Sequence, residues 1–499
     1  MKKIRMVLII LFIFVTFSSV YGGNKCASTL SDELKLHIPV VIFSGSLYSL
    51  DLEYDSTHDD FIWFKFTNAA VSSLSDCSNP ASLFIDDSDK FILRVPLVYW
   101  ETTPLWLEYE YVSATDGLIL FKVTNGNLMS NWVFVTSVTG NGNLGSWDDA
   151  EGKTGIDAGD AICQARANAA GLSGTFKAWL SDDNNDAYCR IHSLTGKKSA
   201  NCGQTTLPVA AGPWVRTDGF PFGASIDKLL DDGIVYAPVR TDEYGQLVQD
   251  HSWFFSNTSP DGTLGSNLFQ SPCSNWISNS GEQNVSLGST DGTERLWTMS
   301  ASTSCSSMVH LLCFQIGAGP SLPQFSSTGK KAFLTSVTGN GSLSSWLDAK
   351  GKTGLAAGDA ICKTRAAAAG LANSNNFKAW LSDSTTNAKD RLISNGHWIR
   401  LDGIKVADNK TDLTDGTIFT SINMAETGTY YNFSDSWVWT GTANDGIKTN
   451  NTCSDWTNGT DTVIGTNGFG TDAGASWSSR LQFDSSSCDA LFRLYCFED

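Results

Sequence analysis

The sequence has 499 residues, of which 41% are hydrophobic and 17% are charged, and its net charge is -18 at pH 7. A chain of this length exceeds what one hydrophobic core usually covers, so we expect two to four domains. An acidic surface repels nucleic acid and anionic membranes. The composition therefore argues against nucleic-acid partners and favours protein or neutral-glycan partners.

The N-terminal segment predicts export. Three basic residues fall within positions 1–5, an apolar run follows at 6–20, and a small residue, Gly22, comes next. This pattern is typical of a secretory signal peptide at 1–22, and no later stretch is long and apolar enough to span a bilayer. We expect an exported protein that is either secreted or displayed at an outer-membrane surface.

Residues 23–130 are predicted to form a β-rich N-terminal module with an internal duplication. The segment 36–68 aligns without a gap to 93–125. Apolar and polar residues alternate over 48–55, which is the period of a half-buried strand, and polar clusters separate it from a second apolar run. We expect a small all-β sandwich made of two similar halves.

Two cysteines fall in this module, and they leave two interpretations open. Cys26 and Cys77 each precede one half, so a disulfide between them would join the halves. Alternatively, Cys26 is a lipidated N-terminal cysteine, which would leave Cys77 without a partner. In that case the protein would be attached to a membrane by a lipid anchor.

The rest of the chain is built from a long repeat. The stretch 134–180, with FVTSVTGNGNLGSW, GKTGIDAGDAIC and FKAWL, returns at 333–381 as FLTSVTGNGSLSSW, GKTGLAAGDAIC and FKAWL. A second copy within one chain indicates a duplicated domain. We predict one domain at 131–314, a Gly-, Pro- and Ser-rich linker at 315–331, and a second domain at 332–499.

Each copy has the same predicted elements. A helix is expected over 155–172, because acidic residues lie near its start and Gly171 stands at its C-terminal stop. A second helix is expected at about 186–193. A closing strand is expected at 308–314, where the sequence is MVHLLCF, and its equivalent at 491–497 has LFRLYCF.

The ordered set of motifs AGDAIC, AAGL, FKAWLS, WVWTGT at 437–442, C-S-[ND]-W and a terminal L-x-C-F strand resembles endostatin. More specifically, it resembles the endostatin-like domain of unknown function found in leptospiral surface proteins. The resemblance implies a C-type lectin-like fold, with two helices flanking small antiparallel sheets and a long irregular loop region. The expected fold class is therefore α+β, with two tandem domains of this type after the small all-β module.

The resemblance also implies how the cysteines pair. It joins Cys163 to Cys313, Cys273 to Cys305, Cys362 to Cys496, and Cys453 to Cys488. Two cysteines remain, and Cys189 aligns with Asp390 of the second copy, which also lacks the segment around Cys202. Two cysteines lost together are best explained as partners. Disulfides are expected in an exported chain with twelve cysteines.

The sequence predicts neither a metal nor a cofactor. The Glu-Pro-Asn, Gln-Pro-Asp and Trp-Asn-Asp triplets of calcium-dependent lectins do not occur. Asp182, Asn184 and Asp186 have the spacing that opens an EF-hand loop, but Ala187 and Ser193 occupy its glycine and glutamate positions. The six histidines are scattered, and HExxH and GxSxG are missing. We therefore expect no enzyme, and a hydrolase is the least favoured alternative.

The tryptophans divide into two predicted groups. Five pairs recur in both copies and are expected in the cores: Trp147 with Trp346, Trp179 with Trp380, Trp214 with Trp398, Trp253 with Trp437, and Trp276 with Trp456. Trp297, Trp439 and Trp477 lie in Gly-rich stretches and are predicted to be exposed ligand contacts. The resemblance implies an adhesin that binds host extracellular-matrix or plasma proteins, and the alternative is a calcium-independent glycan-binding module.

Overall fold

The computed structural model shows a protein with both helices and several mixed sheets, so its class is α+β. It describes residues 29–30, 35–43, 46–55, 60–68, 81–85, 91–100, 103–112, 117–125, 131–172, 174–249, 252–264, 269–319, 322, 328–480 and 485–499. The predicted signal peptide, Cys26 and Cys77 lie outside the described residues.

The chain divides into two compact units. One consists of residues 1–129 and 164–175, and the other consists of residues 130–163 and 176–499. Most of both copies of the long repeat therefore falls within the second unit. We call the copy at 131–314 repeat 1 and the copy at 332–499 repeat 2.

The N-terminal strands form one sheet rather than the two sheets of a sandwich. Their order is β1-β2-β3-β4-β8-β7-β6-β5, and β2 also pairs with β5, so the sheet closes on itself. The expectation of a sandwich was wrong because β4 pairs directly with β8 and joins the two halves edge to edge. The strands are β1 (Thr29–Leu30), β2 (Lys35–Phe43), β3 (Ser46–Asp55), β4 (Asp60–Asn68), β5 (Ala81–Ile85), β6 (Phe91–Trp100), β7 (Thr103–Val112) and β8 (Gly117–Asn125).

The internal duplication of this module is visible in its strand register. The pairing of β2 with β3 is interrupted between Ile38 and Val41, and the pairing of β6 with β7 is interrupted between Val95 and Val98. These are aligned positions of the two halves. The two halves therefore share a β-bulge as well as their strands, which indicates that the bulge is a regular feature of the module.

The last strand of repeat 1, β16, lies at the centre of its sheet. Strand β16 lies between β9 and β13 and also pairs with β10. The strands of repeat 1 are β9 (Asn131–Val135), β10 (Phe176–Ala178), β11 (Trp214–Arg216), β12 (Pro221–Gly223), β13 (Trp253–Phe255), β14 (Asn284–Ser289), β15 (Ala301–Ser304) and β16 (His310–Gln315). Its α-helices are α1 (Gly155–Ala169), α2 (Ala187–Ile191) and α3 (Ile226–Leu230).

Repeat 2 has the same elements in the same order. Its sheets run β18-β24-β17-β19-β20 and β21-β22-β23. Its strands are β17 (Lys330–Leu334), β18 (Phe377–Ala379), β19 (Trp398–Ile399), β20 (Lys405–Ala407), β21 (Trp437–Trp439), β22 (Ile464–Phe469), β23 (Ser485–Ser487) and β24 (Tyr495–Glu498), and its α-helices are α4 (Gly354–Ala368), α5 (Ala388–Arg391) and α6 (Lys410–Leu413).

Short 3-10 turns connect these elements. They are Leu144–Ser146, Asp148–Ala150, Lys198–Gly203, Glu294–Trp297, Leu343–Ser345, Leu347–Ala349, Ser374–Asn376, Phe433–Asp435 and Ala475–Trp477. In addition, Cys273–Trp276 and Cys453–Trp456 each have four successive residues with positive φ. Non-glycine residues seldom adopt this left-handed conformation in succession, so both repeats share an unusual turn at C-S-[ND]-W.

The main helix of each repeat ends and packs as its sequence predicts. Gly171 follows α1 with φ of 66°, the left-handed conformation that favours glycine after a helix. Small residues allow close packing, because a Cβ added at Gly358 of α4 would lie 2.6 Å from Leu381. The helix is therefore held against the strand that carries FKAWL.

Five disulfides fasten the repeats, and they include all ten described cysteines. The structure contains the five pairings expected for the repeats: Cys163–Cys313, Cys189–Cys202, Cys273–Cys305, Cys362–Cys496 and Cys453–Cys488. Bonds of this kind are characteristic of proteins from oxidising compartments. They fit an extracellular protein.

The two repeats contact each other through equivalent segments. Gly292 and Asp472, which follow β14 and β22 at matching positions, form an antiparallel bridge. Thr293 N–H donates to the carbonyl of Thr471 at 2.9 Å, and Ala473 N–H donates to the carbonyl of Asp291 at 3.0 Å. Reciprocal contacts between equivalent residues define an approximate two-fold relation, as in an isologous dimer interface.

Charged and aromatic side chains reinforce this interface. The buried Arg240 of repeat 1 forms an ion pair with Asp291, Nε to Oδ1 at 2.9 Å, and donates through Nη1 to the carbonyl of Ile418 in repeat 2. Phe220 and Phe419 stack across the interface with centroids 5.3 Å apart. The repeats are thus joined by buried polar contacts as well as by the chain.

Among the described residues, no helix has the length and apolar character needed to cross a membrane.

Candidate functional site

The three tryptophans predicted to be exposed are buried. Trp297 is 2% exposed, and Trp439 and Trp477 are 0% exposed. Trp297 and Trp477 lie against the core tryptophans Trp179 and Trp380, with centroids 5.0 and 5.3 Å apart. The prediction was wrong because glycines in β14 and β22 allow close approach. A Cβ added at Gly288 or Gly468 would lie 2.3 or 2.1 Å from the backbone oxygen of Trp297 or Trp477. A Cβ added at Gly465 would lie 2.9 Å from the ring of Trp439.

Recurrence between the copies is the signal that identifies core tryptophans. Trp179, Trp214, Trp276 and their partners in repeat 2 are fully buried, as predicted. Trp297 and Trp477 also occupy equivalent positions, since they follow Gly292 and Asp472, which pair across the repeat interface. Recurrence between the copies would therefore have predicted their burial correctly. The recurring pair Trp253 and Trp437 is only half-buried.

The acidic residues with EF-hand spacing form a turn. The Asp182 carboxylate accepts hydrogen bonds from the backbone N–H groups of Asn184 and Asn185 at 2.9 and 2.6 Å. Asp186 accepts from the backbone of Lys198 and Leu264. These carboxylates therefore stabilise loops, and within the described residues no three His, Cys, Asp or Glu side chains are grouped as a metal site requires.

A half-exposed cluster of aromatic rings and arginines distinguishes repeat 2. Phe469 and Phe433 stack with centroids 4.9 Å apart, Trp437 lies 4.2 Å from Phe469, and Phe492 stacks on Trp437 at 5.5 Å. Phe433, Trp437 and Phe492 are partly exposed. We call this surface the aromatic face, and it comprises Phe433, Trp437, Phe469 and Phe492 together with Arg295 and Arg480.

Arg480 lies over two rings of the aromatic face. Its guanidinium carbon is 5.1 Å from the ring centroids of both Trp437 and Phe469. Desolvation lowers the pKa of the Arg480 guanidinium from its ordinary value, but an arginine stays charged at neutral pH. The aromatic face thus carries positive charge in contact with its rings, an arrangement that cation–π attraction stabilises.

Repeat 1 contributes the other arginine of the aromatic face. The Arg295 guanidinium carbon lies 4.5 Å from the ring centroid of Phe433, and Glu294 accepts a hydrogen bond from the backbone N–H of Phe433 at 3.3 Å. Both residues belong to the 3-10 turn directly after the segment that pairs the two repeats. The aromatic face is therefore completed across the repeat interface.

Among the described residues of repeat 1 there is no equivalent cluster, because smaller side chains occupy three of the matching positions. Sheet pairing and spacing from the shared cysteines show the correspondence. Phe469, Arg480 and Phe492 of repeat 2 correspond to Ser289, Ser300 and Val309 of repeat 1. The core is common to both copies, whereas the rings of the aromatic face all come from repeat 2.

One apolar position next to this face is exposed in both repeats. Leu491 precedes Phe492 and is 65% exposed, and its equivalent Met308 precedes Val309 and is 61% exposed. Of the two residues, only Leu491 is next in the chain to a residue of the aromatic face. The pair gives a matched comparison, since the two side chains have similar size and exposure.

Our sequence reasoning missed the aromatic face. The signal was available, because an alignment of the two copies shows aromatic and arginine residues at 469, 480 and 492 where the first copy has serine or valine. The recurrence of Trp437 in both copies predicts only a core residue. Differences between the copies, rather than shared residues, mark this surface.

Comparison with known proteins does not assign a family: no protein-family model matches the chain, and no curated protein matches its sequence.

Proposed function

We propose that the protein is an exported, adhesin-like binding protein that recognises host extracellular-matrix or plasma proteins through the aromatic face. The observation that carries the proposal is the half-exposed set of Phe433, Trp437 and Phe492 with Arg480 lying over its rings. Tryptophan and arginine dominate the binding energy of protein interfaces when they lie in packed clusters. The exposed Leu491 directly precedes Phe492 in the chain and supplies an apolar side chain at this position.

The geometry favours a protein over a glycan as the ligand. A sugar that stacks on tryptophan needs a free ring face. Trp437 contacts the rings of Phe433, Phe469 and Phe492 and the guanidinium of Arg480. What the cluster offers to a ligand is ring edges, an apolar rim and positive charge, which suit side chains of another protein.

The proposal includes the C-type lectin-like fold for both repeats. In support, each repeat has a long helix joined by a disulfide to the closing strand, through Cys163–Cys313 and Cys362–Cys496. A second disulfide joins the left-handed C-S-[ND]-W turn to the segment before that strand. The resemblance of both repeats to leptospiral endostatin-like domains supports an adhesive role, although a fold alone does not imply function.

The test uses the matched exposed residues. The full chain and its Leu491→Asp and Met308→Asp variants are applied to surfaces coated with basement-membrane extract or with plasma proteins, and binding is measured by surface plasmon resonance. A carboxylate at 491 must be desolvated beside Phe492, so we expect Leu491→Asp to weaken binding by about tenfold or more. Met308→Asp should bind like the unchanged chain.

The outcomes separate the proposal from its alternatives. Equal binding by both variants, or a loss only in Met308→Asp, would exclude the aromatic face as the binding surface. Binding to a glycan array but not to deglycosylated coats would favour the glycan-binding alternative. Melting temperatures of the two variants serve as the folding control, because both residues are exposed and neither change should alter stability much.

A further inference from the structure

Arg216 and Arg400, which occupy equivalent positions in the two repeats, each lie over a ring and also bind a carboxylate. The Arg216 guanidinium carbon lies 5.1 Å from the Phe220 centroid, and its Nε donates to Asp218 at 3.0 Å. In repeat 2, Arg400 lies 5.3 Å from the Tyr430 centroid.

Arg400 also donates to a carboxylate, Asp402, through Nε and Nη2 at 3.2 and 2.7 Å. At both positions a carboxylate that accepts two hydrogen bonds satisfies the guanidinium, together with a ring and a backbone carbonyl. This is the geometry in which the planar fork of arginine binds most strongly.

Arg295 has the ring but not the carboxylate. Its guanidinium lies 4.5 Å from the Phe433 centroid, and its Nε is buried without a hydrogen-bond partner. Within the described part of the chain, the Arg295 side chain makes no hydrogen bond or ion pair. The adjacent Glu294 is not its partner, because that carboxylate accepts from the backbone of Phe433.

An arginine held in this way suits an anionic ligand. Phe433 fixes the plane of the guanidinium, so less conformational entropy is lost when a carboxylate binds to it. The residue is partly exposed although its Nε is buried, so a ligand would bind to the terminal Nη groups. It also lies beside the half-exposed rings on which the proposed function depends.

We propose that Arg295 of repeat 1 anchors a carboxylate of an acidic segment in the partner protein, while the rings of repeat 2 hold the apolar residues around it. This inference rests on the proposed function and adds the chemistry of the ligand. It makes recognition a property of the two repeats together, because the anchor and the rings lie on opposite sides of the repeat interface. Repeat 2 has a buried alanine, Ala475, at the position equivalent to Arg295.

The experiment compares Arg295→Ala, Arg295→Gln and Arg295→Lys in the full chain, with Lys352→Ala as the control. Lys352 is an exposed cation outside the aromatic face, so this variant removes the same charge elsewhere. The probes are the basement-membrane coat, the same coat with its carboxyl groups amidated, and the coat after sialidase treatment. Soluble poly-L-glutamate, followed by fluorescence anisotropy, provides a probe of carboxylate binding that does not depend on the coat.

We expect Arg295→Ala and Arg295→Gln to weaken binding to the coat and to polyglutamate by about tenfold, and Lys352→Ala to change neither. Arg295→Lys should recover only part of the binding, because lysine keeps the charge but not the fork. Amidation of the coat should reduce binding by the unchanged chain to the level of Arg295→Ala, and sialidase should have no effect. Arg295→Gln keeps the test valid if the alanine variant folds poorly.

Each result bears on a defined claim. If the unchanged chain binds the coat and neither the Arg295 variants nor amidation alters binding, the anchor is excluded while the proposed function stands. If polyglutamate binding depends on Arg295 but the coat is not bound, the anchor stands and the proposed function fails. If sialidase removes the binding, the carboxylate comes from a glycan and the protein partner is excluded, and if neither probe is bound, both claims fail.

Discussion

Repeat 1 and repeat 2 share their cores and differ on their surfaces. Both bury the tryptophan of FKAWL, Trp179 in one and Trp380 in the other, and both have the disulfide between the long helix and the closing strand. Yet Ser289 and Val309 of repeat 1 correspond to Phe469 and Phe492 of repeat 2. The comparison teaches that the two copies share the residues that hold the fold, whereas repeat 2 alone has the rings of the aromatic face and the arginine, Arg480, that lies over two of them.

The largest effect should come from Trp439, which the sequence predicts to be exposed and the structure shows to be buried. Trp439 is fully buried and donates from Nε1 to the carbonyl of Gly339 at 3.1 Å. Trp439→Ala should destabilise repeat 2 by about 3–5 kcal/mol in chemical unfolding, because it leaves a large cavity. Trp439→Phe should cost less, since Phe255 occupies the equivalent position in repeat 1, and a small cost for alanine would show that the ring is exposed after all.

The interface between the repeats should be nearly as sensitive. Arg240→Met removes an ion-pair partner of the buried Asp291, and breaking such a pair typically costs about 3–5 kcal/mol. Unfolding of the unit that contains both repeats should then begin at a lower denaturant concentration. Replacing both residues, as Arg240→Met with Asp291→Leu, should restore much of the loss. No difference between the single and double variants would contradict the assigned ion pair.

The disulfides test whether the two scaffolds are equivalent. Cys163–Cys313 and Cys362–Cys496 close loops with sequence separations of 150 and 134. Removal of either by paired Cys→Ser changes should cost about 2–5 kcal/mol, with similar values for the two repeats because the loops have similar length. Thermal unfolding of the two variants provides the measurement, and a loss in only one of them would break the equivalence.

The smallest expected effect is a pH dependence of stability, and it should arise in repeat 1 but not in repeat 2. Burial lowers the pKa of His310 below its ordinary value of 6.5, against the opposing influence of hydrogen bonds to Thr136 and Val138 and of Glu243. The unfolded chain therefore takes up the proton at a higher pH than the folded chain. Stability is fully present above pH 6.5 and is lost as the pH falls from 6.5 through the folded pKa, by at most about 1.4 kcal/mol per pH unit.

Repeat 2 should lack this dependence, because Arg493 replaces the histidine and does not titrate in this range. The measurement is the free energy of unfolding between pH 7 and pH 5 for the unchanged chain and for His310→Gln. The variant should show a weaker pH dependence. The same slope in both proteins would exclude His310 as the source.

The sequence was sufficient for much of the scaffold and insufficient for the site. The helix at 155–172 was predictable because the acidic start, the alanines and Gly171 all indicate the same element. The closed sheet of the N-terminal module was not predictable, because alternation identifies strands but does not show that β4 pairs with β8. The burial of Trp439 depends on how glycine-rich strands fold over the core, which local pattern does not reveal.

The candidate site escaped prediction for a related reason. Residues 295, 433, 469, 480 and 492 are far apart in the sequence and come together only through sheet pairing and the contact between repeats. No single segment among them has an unusual composition. A comparison of the two copies position by position would have indicated three of them, although Arg295 becomes significant only when its neighbour Phe433 in the other repeat is known.

The most direct test of the central claim is oxidative footprinting of the full chain, free and bound to the basement-membrane coat, with the change in reactivity recorded at Leu491 and Met308. Both side chains are more than 60% exposed in the free chain, so each serves as a reference for the other. The account predicts that binding protects Leu491 together with Trp437 and Phe492, and leaves Met308 and Trp253 unchanged. Protection of Met308, or bound chain in which Leu491 stays reactive, would contradict it.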